Sequence, residues 1–281
     1  MMKTLVLAQH LAGVGRSTIA TMLVLHLARH GHRVLAIDLD HPGEMGRALR
    51  RSGHAEAVPL ADDALVGDVL PDLPEARRGT VVLIDGARRW LGLDRKPTQR
   101  DNFVGNLQDL LAIVRRRFDA CVIDTPARPD VRLLAGLACS DLVLVPTLLE
   151  RASLGSVGYL FWHSWCGIRA VQGSLNPRLQ LLGLLPTMVS SDAGCSAGRE
   201  PLAKLAGLAP AHRQALVHVC EQTGLAGEFG YLPRHPAIGQ ALATGQMPWE
   251  VSATAARAAW NEVRPAIETL AAHLTAAEAR P

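Results

Sequence analysis

The sequence predicts an α/β fold, doubly wound, with a mostly parallel sheet of about seven strands and helices on both faces. Three observations carry that expectation. An apolar run, a glycine-rich loop and an amphipathic helix follow one another at the N-terminus, and a second apolar run closes a β-loop-α-β unit within the first sixty residues. Further short apolar runs recur along the chain, separated by stretches long enough for helical connections. Three of these runs, ending at Asp38, Asp85 and Asp124, close on an aspartate.

Composition sets the outer limits. The 281 residues are 48% hydrophobic and 20% charged, as expected of a globular chain able to bury a core. No apolar run approaches the roughly 18 residues that span a bilayer, and the N-terminus lacks the pattern of a signal peptide, so the expected location is the cytoplasm. Cys121, Cys139, Cys166, Cys195 and Cys220 are too scattered for a zinc knuckle or redox motif and are expected as buried free thiols. The net charge of +3 permits contact with nucleic acid without requiring it.

Taken in order, Lys3 to Ala8 reads as the first strand and Ser17 to His30 as a helix with Ile19, Leu23 and Leu27 on one face. Gly31 ends it, and Arg33 to Asp38 is the second strand. The polar stretch Arg50 to Arg78 is expected as loops and short helices, with a turn or two at Leu65 to Leu70. Thr80 to Asp85 is the third strand. A basic connection containing Arg88, Arg89, Arg95, Lys96 and Arg100 precedes a helix from Asn102 to Arg117. Phe118 to Pro126 and Asp141 to Pro146 give the fourth and fifth strands, and one long helix is expected from Ser153 to Val171. Its Tyr159, Phe161, Trp162 and Trp165 lie on more than one face and are assigned to core and interface packing. Leu179 to Leu185 is the sixth strand, Ser190 to Gly198 a polar loop, Pro210 to Thr223 a helix, Gly227 to Leu232 the last strand and Ser252 to Ala277 a C-terminal helix. With no repeat and no linker, residues 1–281 are expected to form a single domain.

The chemistry concentrates at residues 8 to 18, Ala-Gln-His-Leu-Ala-Gly-Val-Gly-Arg-Ser-Thr. Gly13 and Gly15 allow a tight turn and a close approach to a ligand, and the helix that follows offers free N–H groups and a positive dipole end to an anion. Ser17 stands where a hydroxyl would meet a magnesium ion. A right-handed crossover brings Asp38 and Asp40 to the same sheet edge, and alternation would point both carboxylates toward the loop. Magnesium-phosphate chemistry needs such a pair, and a turn or helix cap beside Pro42-Gly43 would also use it.

Six segments in order resemble the family of the ParA and Soj partition ATPases and the MinD positioning ATPases, across nearly the whole length. Gly-Val-Gly-Arg-Ser-Thr (13 to 18) is similar to their deviant Walker A loop, Ile-Asp-Leu-Asp-His-Pro-Gly (37 to 43) to their second acidic motif, and Phe-Asp-Ala-Cys-Val-Ile-Asp-Thr-Pro (118 to 126) to their Walker B strand. Ser140 to Thr147, Asn176 to Val189 and Leu232 to His235 complete the series. The resemblance implies a P-loop NTPase type of fold with ATP or ADP and Mg2+ as ligands. It implies that Ala12, Gly13, Val14, Gly15, Arg16, Ser17 and Thr18 cradle phosphates, and that Thr187, Pro233 and Arg234 lie near the adenine. Ser17 and Asp124 would hold the metal, and Asp40, with Asp38 beside it and Arg16 on the phosphates, would serve hydrolysis. The implied partners are a second copy in a homodimer, nonspecific DNA and a centromere-binding ParB-like protein, with a place on the nucleoid and none on a membrane. Arg88 to Arg100 and Arg115, Arg116 and Arg117 are the candidate DNA surface.

The loop departs from that family at three positions. Leu11 stands in place of the lysine that reaches a partner's phosphates, Ala12 in place of a glycine and Arg16 in place of the loop lysine. An equivalent cation is worth on the order of 10³–10⁵ in rate, so slow ATP hydrolysis is expected unless His10 or another basic residue supplies a charge. Ala12 would cost about 1 kcal/mol if its backbone needed a positive φ. Alternative readings are a positioning scaffold with little or no turnover, which Leu11 and Arg16 favour, and a metabolic amidotransferase or synthetase on the same core. Glu262, Glu268 and Glu278 weigh against a MinD-type membrane helix, and the placing of Cys121 within a strand weighs against an iron-sulfur ATPase.

Overall fold

In the computed structural model, residues 1–86, 88–148, 151–188, 232–251 and 254–276 are described. Seven strands pair in parallel: β1 (Lys3–Leu7), β2 (Val34–Asp38), β3 (Ala55–Ala57), β4 (Val81–Asp85), β5 (Ala120–Asp124), β6 (Leu142–Leu148) and β7 (Gln180–Thr187). Their order across the sheet is β3-β4-β2-β5-β1-β6-β7. The chain runs from β1 to β2 and on to β3 at the sheet edge, returns through β4 and fills the slot between β2 and β1 with β5, then crosses to the other side of β1 for β6 and β7. This reversal sets the switch point where ligands enter open α/β sheets.

Period-two alternation divides each central strand between two cores. Leu5, Ala36, Leu83, Val122 and Leu144 join one cluster, and Val6, Ile37, Ile84, Ile123 and Val143 join the other. Both faces of the sheet are therefore covered, which is why these strands read as continuous apolar runs. Helices α1 (Arg16–Arg29) and α8 (Thr254–Thr275) cover the first face, with α2 (Glu44–Ser52) and α7 (Pro236–Ala243) toward its edge. Helices α3 (Pro97–Val114), α4 (Val131–Ala138), α5 (Arg151–Trp162) and α6 (Ile168–Ser174) lie with the second. Among the described residues, no helix is long and apolar enough to cross a membrane.

Several local expectations change. The long helix 153–171 is two helices: α5 ends at Trp162, and α6 starts only after Gly167, where an added Cβ would lie 2.5 Å from the His163 carbonyl oxygen. Of its four aromatic residues Phe161 enters the core, whereas Tyr159, Trp162 and Trp165 are exposed. Residues 65–69 are turn and bend, as expected, but β3 was hidden in the polar stretch because only three residues pair there. α3 starts five residues earlier than expected, at Pro97, a residue suited to a first helical turn. Cys121 and Cys166 are buried free thiols and Cys139 is partly exposed, while Cys195 and Cys220 lie outside the described residues. The loop 190–198, the helix 210–223 and all of strand 227–232 but Leu232 also lie outside them; the Leu232 amide donates to the Pro186 carbonyl at 2.8 Å.

α3 holds the irregular segment 58–79 to the molecule through polar side chains. Asn106 Nδ2 donates to the carbonyls of Leu65 (3.2 Å) and Gly67 (2.8 Å), and Asn102 Nδ2 to that of Val66 (3.1 Å). Buried Trp90 packs on Phe103 with ring centroids 5.3 Å apart and donates its indole N–H to the Ala64 carbonyl at 2.9 Å. Replacing Trp90 with Ala removes both the ring and this tether, and urea denaturation is expected to show a loss of about 3–5 kcal/mol.

Candidate functional site

The glycine loop joins β1 to α1 at the carboxyl edge of the sheet. Gly13 (φ 77°) and Gly15 (φ 85°) are left-handed, and Gly15 is the N-cap of α1. A Cβ at Gly13 would meet nothing, so the backbone angle rather than space demands glycine there. Ala12 is not among the described non-glycine residues of positive φ, so the expected strain at this position is absent.

Strand register sets the acids. Asp38 is aligned with Asp124 on one side and with Asp85 on the other, and Asp124 with Leu7, the last residue of β1. Ser17 Oγ, in the first turn of α1, donates to Asp124 Oδ2 at 2.5 Å. Asp124 is fully buried, and its other oxygen, Oδ1, has no hydrogen-bond partner among the described residues. Burial pushes this carboxyl up to about 6, against the pull of Arg16 and the Ser17 hydroxyl. A buried carboxylate with a spare oxygen, bonded to a hydroxyl beneath a glycine loop, fits a hydrated divalent cation.

Asp38 has a different task. The chain leaves the strand after it, which breaks the alternation expected to aim Asp38 and Asp40 together. Its Oδ2 accepts from the Gly46 amide (2.7 Å) and its Oδ1 from the Asp40 amide (3.0 Å), which pins the connection from β2 to α2. Burial, and then the neighbouring Asp124, raise its carboxyl well above the ordinary range. Asp40 remains 22% exposed on the cleft wall and faces Arg16, whose Nη2 is 3.8 Å from Asp40 Oδ2.

Arg16 is turned inward. It is 6% exposed, and its Nη1 donates to the Gln9 carbonyl at 2.8 Å. The charge that replaces the loop lysine is thus engaged by the loop's own backbone and by Asp40. His10 brings no charge to replace that of Leu11: burial, His163 and Arg16 lower its imidazole to about 4, so the ring is neutral at neutral pH. It stacks edge-on against Tyr159 at 5.0 Å.

A cleft of about 700 Å³ opens above the loop. Residues 12 to 18 form its floor, with Asp40 and Pro126 to Arg128 among its walls; Arg47 and Arg51 of α2, Met188, and Gly239, Leu242 and Ala243 of α7 also line it. Thr187, Pro233 and Arg234 are not among its described lining. Thr187 is buried and donates to the Val14 carbonyl at 2.9 Å, bracing the loop from below. Arg47, Arg51 and Arg128 were missed in the sequence; the available signal was basic residues soon after two acidic strand ends.

The candidate DNA surface divides. Residues 88 to 96 follow β4 at the carboxyl edge, whereas Arg115 to Arg117 precede β5 at the opposite edge, beyond the 18-residue α3, a span of about 27 Å. Arg115 pairs with Asp141 at 3.5 Å, and Arg117 Nη2 donates to the carbonyls of Leu73 and Pro74 at 2.7 Å. Arg88, Arg95, Lys96 and Arg116 are exposed.

Residues 2–181 match the model of the AAA domain family. The chain is 28% identical to protein IncC of Escherichia coli over 94% of this chain and 67% of that protein. It is 31% identical to the chromosome partitioning protein ParA of Caulobacter vibrioides over 66% of this chain and 70% of that one. Among solved structures, apo McdA of Cyanothece shares the fold at a TM-score of 0.68 and 19% identity, over 96% of this chain and 98% of McdA. Cobyrinic acid a,c-diamide synthase of Mycobacterium smegmatis, with a bound ATP analogue and magnesium, aligns at 0.67 and 25% identity, over 100% of this chain and 98% of that one.

The raised Asp124 carboxyl has a consequence for stability. Its proton is held more tightly in the folded state, so the destabilisation grows as pH rises from the ordinary value of 3.8 to about 6 and is complete above that. Asp124→Asn keeps an acceptor for Ser17 and removes the buried charge. The ligand-free variant is expected to melt about 2–4 °C above wild type at about pH 7.5, a gain that disappears near pH 4.

Proposed function

The chain belongs to the ParA-like family of P-loop ATPases, and from that premise we propose that it is a nucleotide-dependent partition or positioning protein. The carrying observation is the Ser17–Asp124 hydrogen bond at the foot of the glycine loop. In this reading the cleft takes ATP or ADP with Mg2+. The backbone of Ala12 to Thr18 holds the phosphates, Ser17 and Asp124 hold the metal, and Arg16 and Asp40 face the terminal phosphate. The metal, when bound, neutralises phosphate charge and orients the oxygens. In the same reading Asp40 orients a water once Arg16 releases it for phosphate. Asp38 acts as a positioning residue, because its oxygens are committed to the amides of Asp40 and of Gly46 in α2, on either side of the connection that carries Asp40.

A homodimer, nonspecific DNA and a ParB-like centromere-binding partner complete the proposal, in a cytoplasmic and nucleoid-associated setting. It draws on the relatives' roles in partitioning, and one domain over residues 1–281 accommodates it. A second reading, a scaffold with little or no turnover, is favoured by Leu11 and by the engagement of Arg16 with Gln9 and Asp40. Turnover separates the two.

Calorimetry in magnesium is expected to show ATP binding by the wild-type protein, with slow turnover. Leu11→Lys is expected to raise turnover by about tenfold or more, given the 10³–10⁵ that a missing cation costs in related sites. Absence of nucleotide binding by wild type, with binding restored in the Arg16→Lys/Leu11→Lys variant, makes the loop a relic and overturns the proposal.

For DNA, the Arg88→Ala/Arg95→Ala/Lys96→Ala variant is expected to bind nonspecific duplex more weakly. Its salt dependence is expected to be shallower, by about one unit of slope for each phosphate that the variant no longer neutralises. Equal salt slopes for the variant and wild type rule out this edge as the DNA surface.

A further inference from the structure

We infer that Arg128 supplies, from the same chain, a positive charge for the terminal phosphate of a bound nucleoside triphosphate, and so sets the preference for triphosphate over diphosphate. The inference rests on the nucleotide reading of the cleft and assigns within it a residue that the sequence motifs leave out.

Two kinds of surface line the cleft. Met188, Gly239, Leu242 and Ala243 are apolar and suited to a base. Asp40, from the connection after β2, and Pro126 to Arg128, from the connection after β5, follow strands on the opposite side of β1 from β7, which Met188 follows. β5 lies beside both β1 and β2, and Asp124 at its tip is bonded to Ser17, so a phosphate chain lying along the loop ends toward this second wall.

The cations around the cleft differ in what already holds them. Arg16 is buried against the Gln9 carbonyl and Asp40. Arg47 pairs with Glu44, and Arg51 Nη1 donates to the Ala243 carbonyl of α7 at 2.9 Å. Arg128 is 59% exposed, and its bond among the described residues runs from Nε to Asp130 Oδ2 at 3.2 Å.

That bond is a surplus one. A carboxylate offers about four acceptor positions. Asp130 already receives the Arg132 and Leu133 amides at the start of α4 and both Nε and Nη2 of buried Arg132. Release of Arg128 therefore leaves no orphaned acceptor, and both its Nη groups are unengaged among the described residues. A planar fork of this kind matches phosphate oxygens in pairs. With leucine at position 11 and Arg16 turned inward, Arg128 is the cation on this wall with least to lose.

The test compares calorimetric affinities for magnesium ADP and for the magnesium complex of a non-hydrolysable imido analogue of ATP. Arg128→Ala is expected to weaken the triphosphate analogue by about tenfold or more, as for a charge-assisted hydrogen bond, and ADP by less than about twofold. Arg128→Lys is expected to recover part of the preference and Arg51→Ala to leave the ratio unchanged, all with unaltered melting temperatures. Equal loss for both nucleotides, or no loss for either, overturns the inference while leaving the nucleotide reading in place. Wild-type protein that binds neither nucleotide removes that reading and the inference with it.

Discussion

A single buried carboxylate ties the sheet to the loop. Asp124 ends the strand that fills the slot between β1 and β2, and Ser17 of the first turn of α1 bonds to it at 2.5 Å. Around this contact the neighbouring connections are fixed in turn. The Leu39 amide donates to the Asp124 carbonyl (2.9 Å), Asp38 gathers the amides of Asp40 and Gly46, and Arg132 Nη1 reaches across to the Leu39 carbonyl (3.0 Å). Among the described residues Asp124 Oδ1 has no hydrogen-bond partner, a desolvation cost that a bound cation would relieve. Such local cost is a common mark of functional sites.

Arg16 shows how one substitution redistributes charge in such a setting. A lysine ammonium is a compact point charge, whereas a guanidinium has five donors arranged in a plane. In this loop two of the arginine's groups turn toward Gln9 and Asp40. Its charge also lowers Asp124, opposing the burial that raises it. Internal partners therefore already hold this cation, and a phosphate bound there would have to compete with them. Neutral His10 and apolar Leu11 supply no replacement, which throws weight onto the arginines of the cleft walls.

Much of the fold was legible because parallel strands buried on both faces must be apolar throughout, and six of the seven lie within a residue or two of where their apolar runs predicted them. β3 was not, since three residues without an apolar run carry no pattern. The break between α5 and α6 was also hidden: helical periodicity runs across it, and the crowding that keeps residue 167 a glycine exists only after the turn at His163 has formed. In the site, Gly13 and Gly15 were readable because the positive φ found at both demands that residue type, and Ser17 and Asp124, expected at one place, do meet there. The roles of Asp38 and Thr187 were not, because both are set by backbone amides and carbonyls that folding brings to them.

By itself the sequence determined which residue types could serve the site: glycines able to turn the loop, a hydroxyl and acids able to meet a cation, and a leucine and an arginine where lysines were expected. Those are properties of side-chain chemistry and of local spacing. Only the tertiary structure decided which of them meet. The return of β5 into the slot beside β1 brings Asp124 to Ser17 across 107 positions of sequence. The end of β2 turns Asp38 inward while Asp40 stays on the cleft, and the saturation of Asp130 by Arg132 leaves Arg128 free to act. The physical reason is that hydrogen-bonding capacity and burial are shared among residues distant in the chain, so the partners left to any one group are fixed only once the sheet has closed.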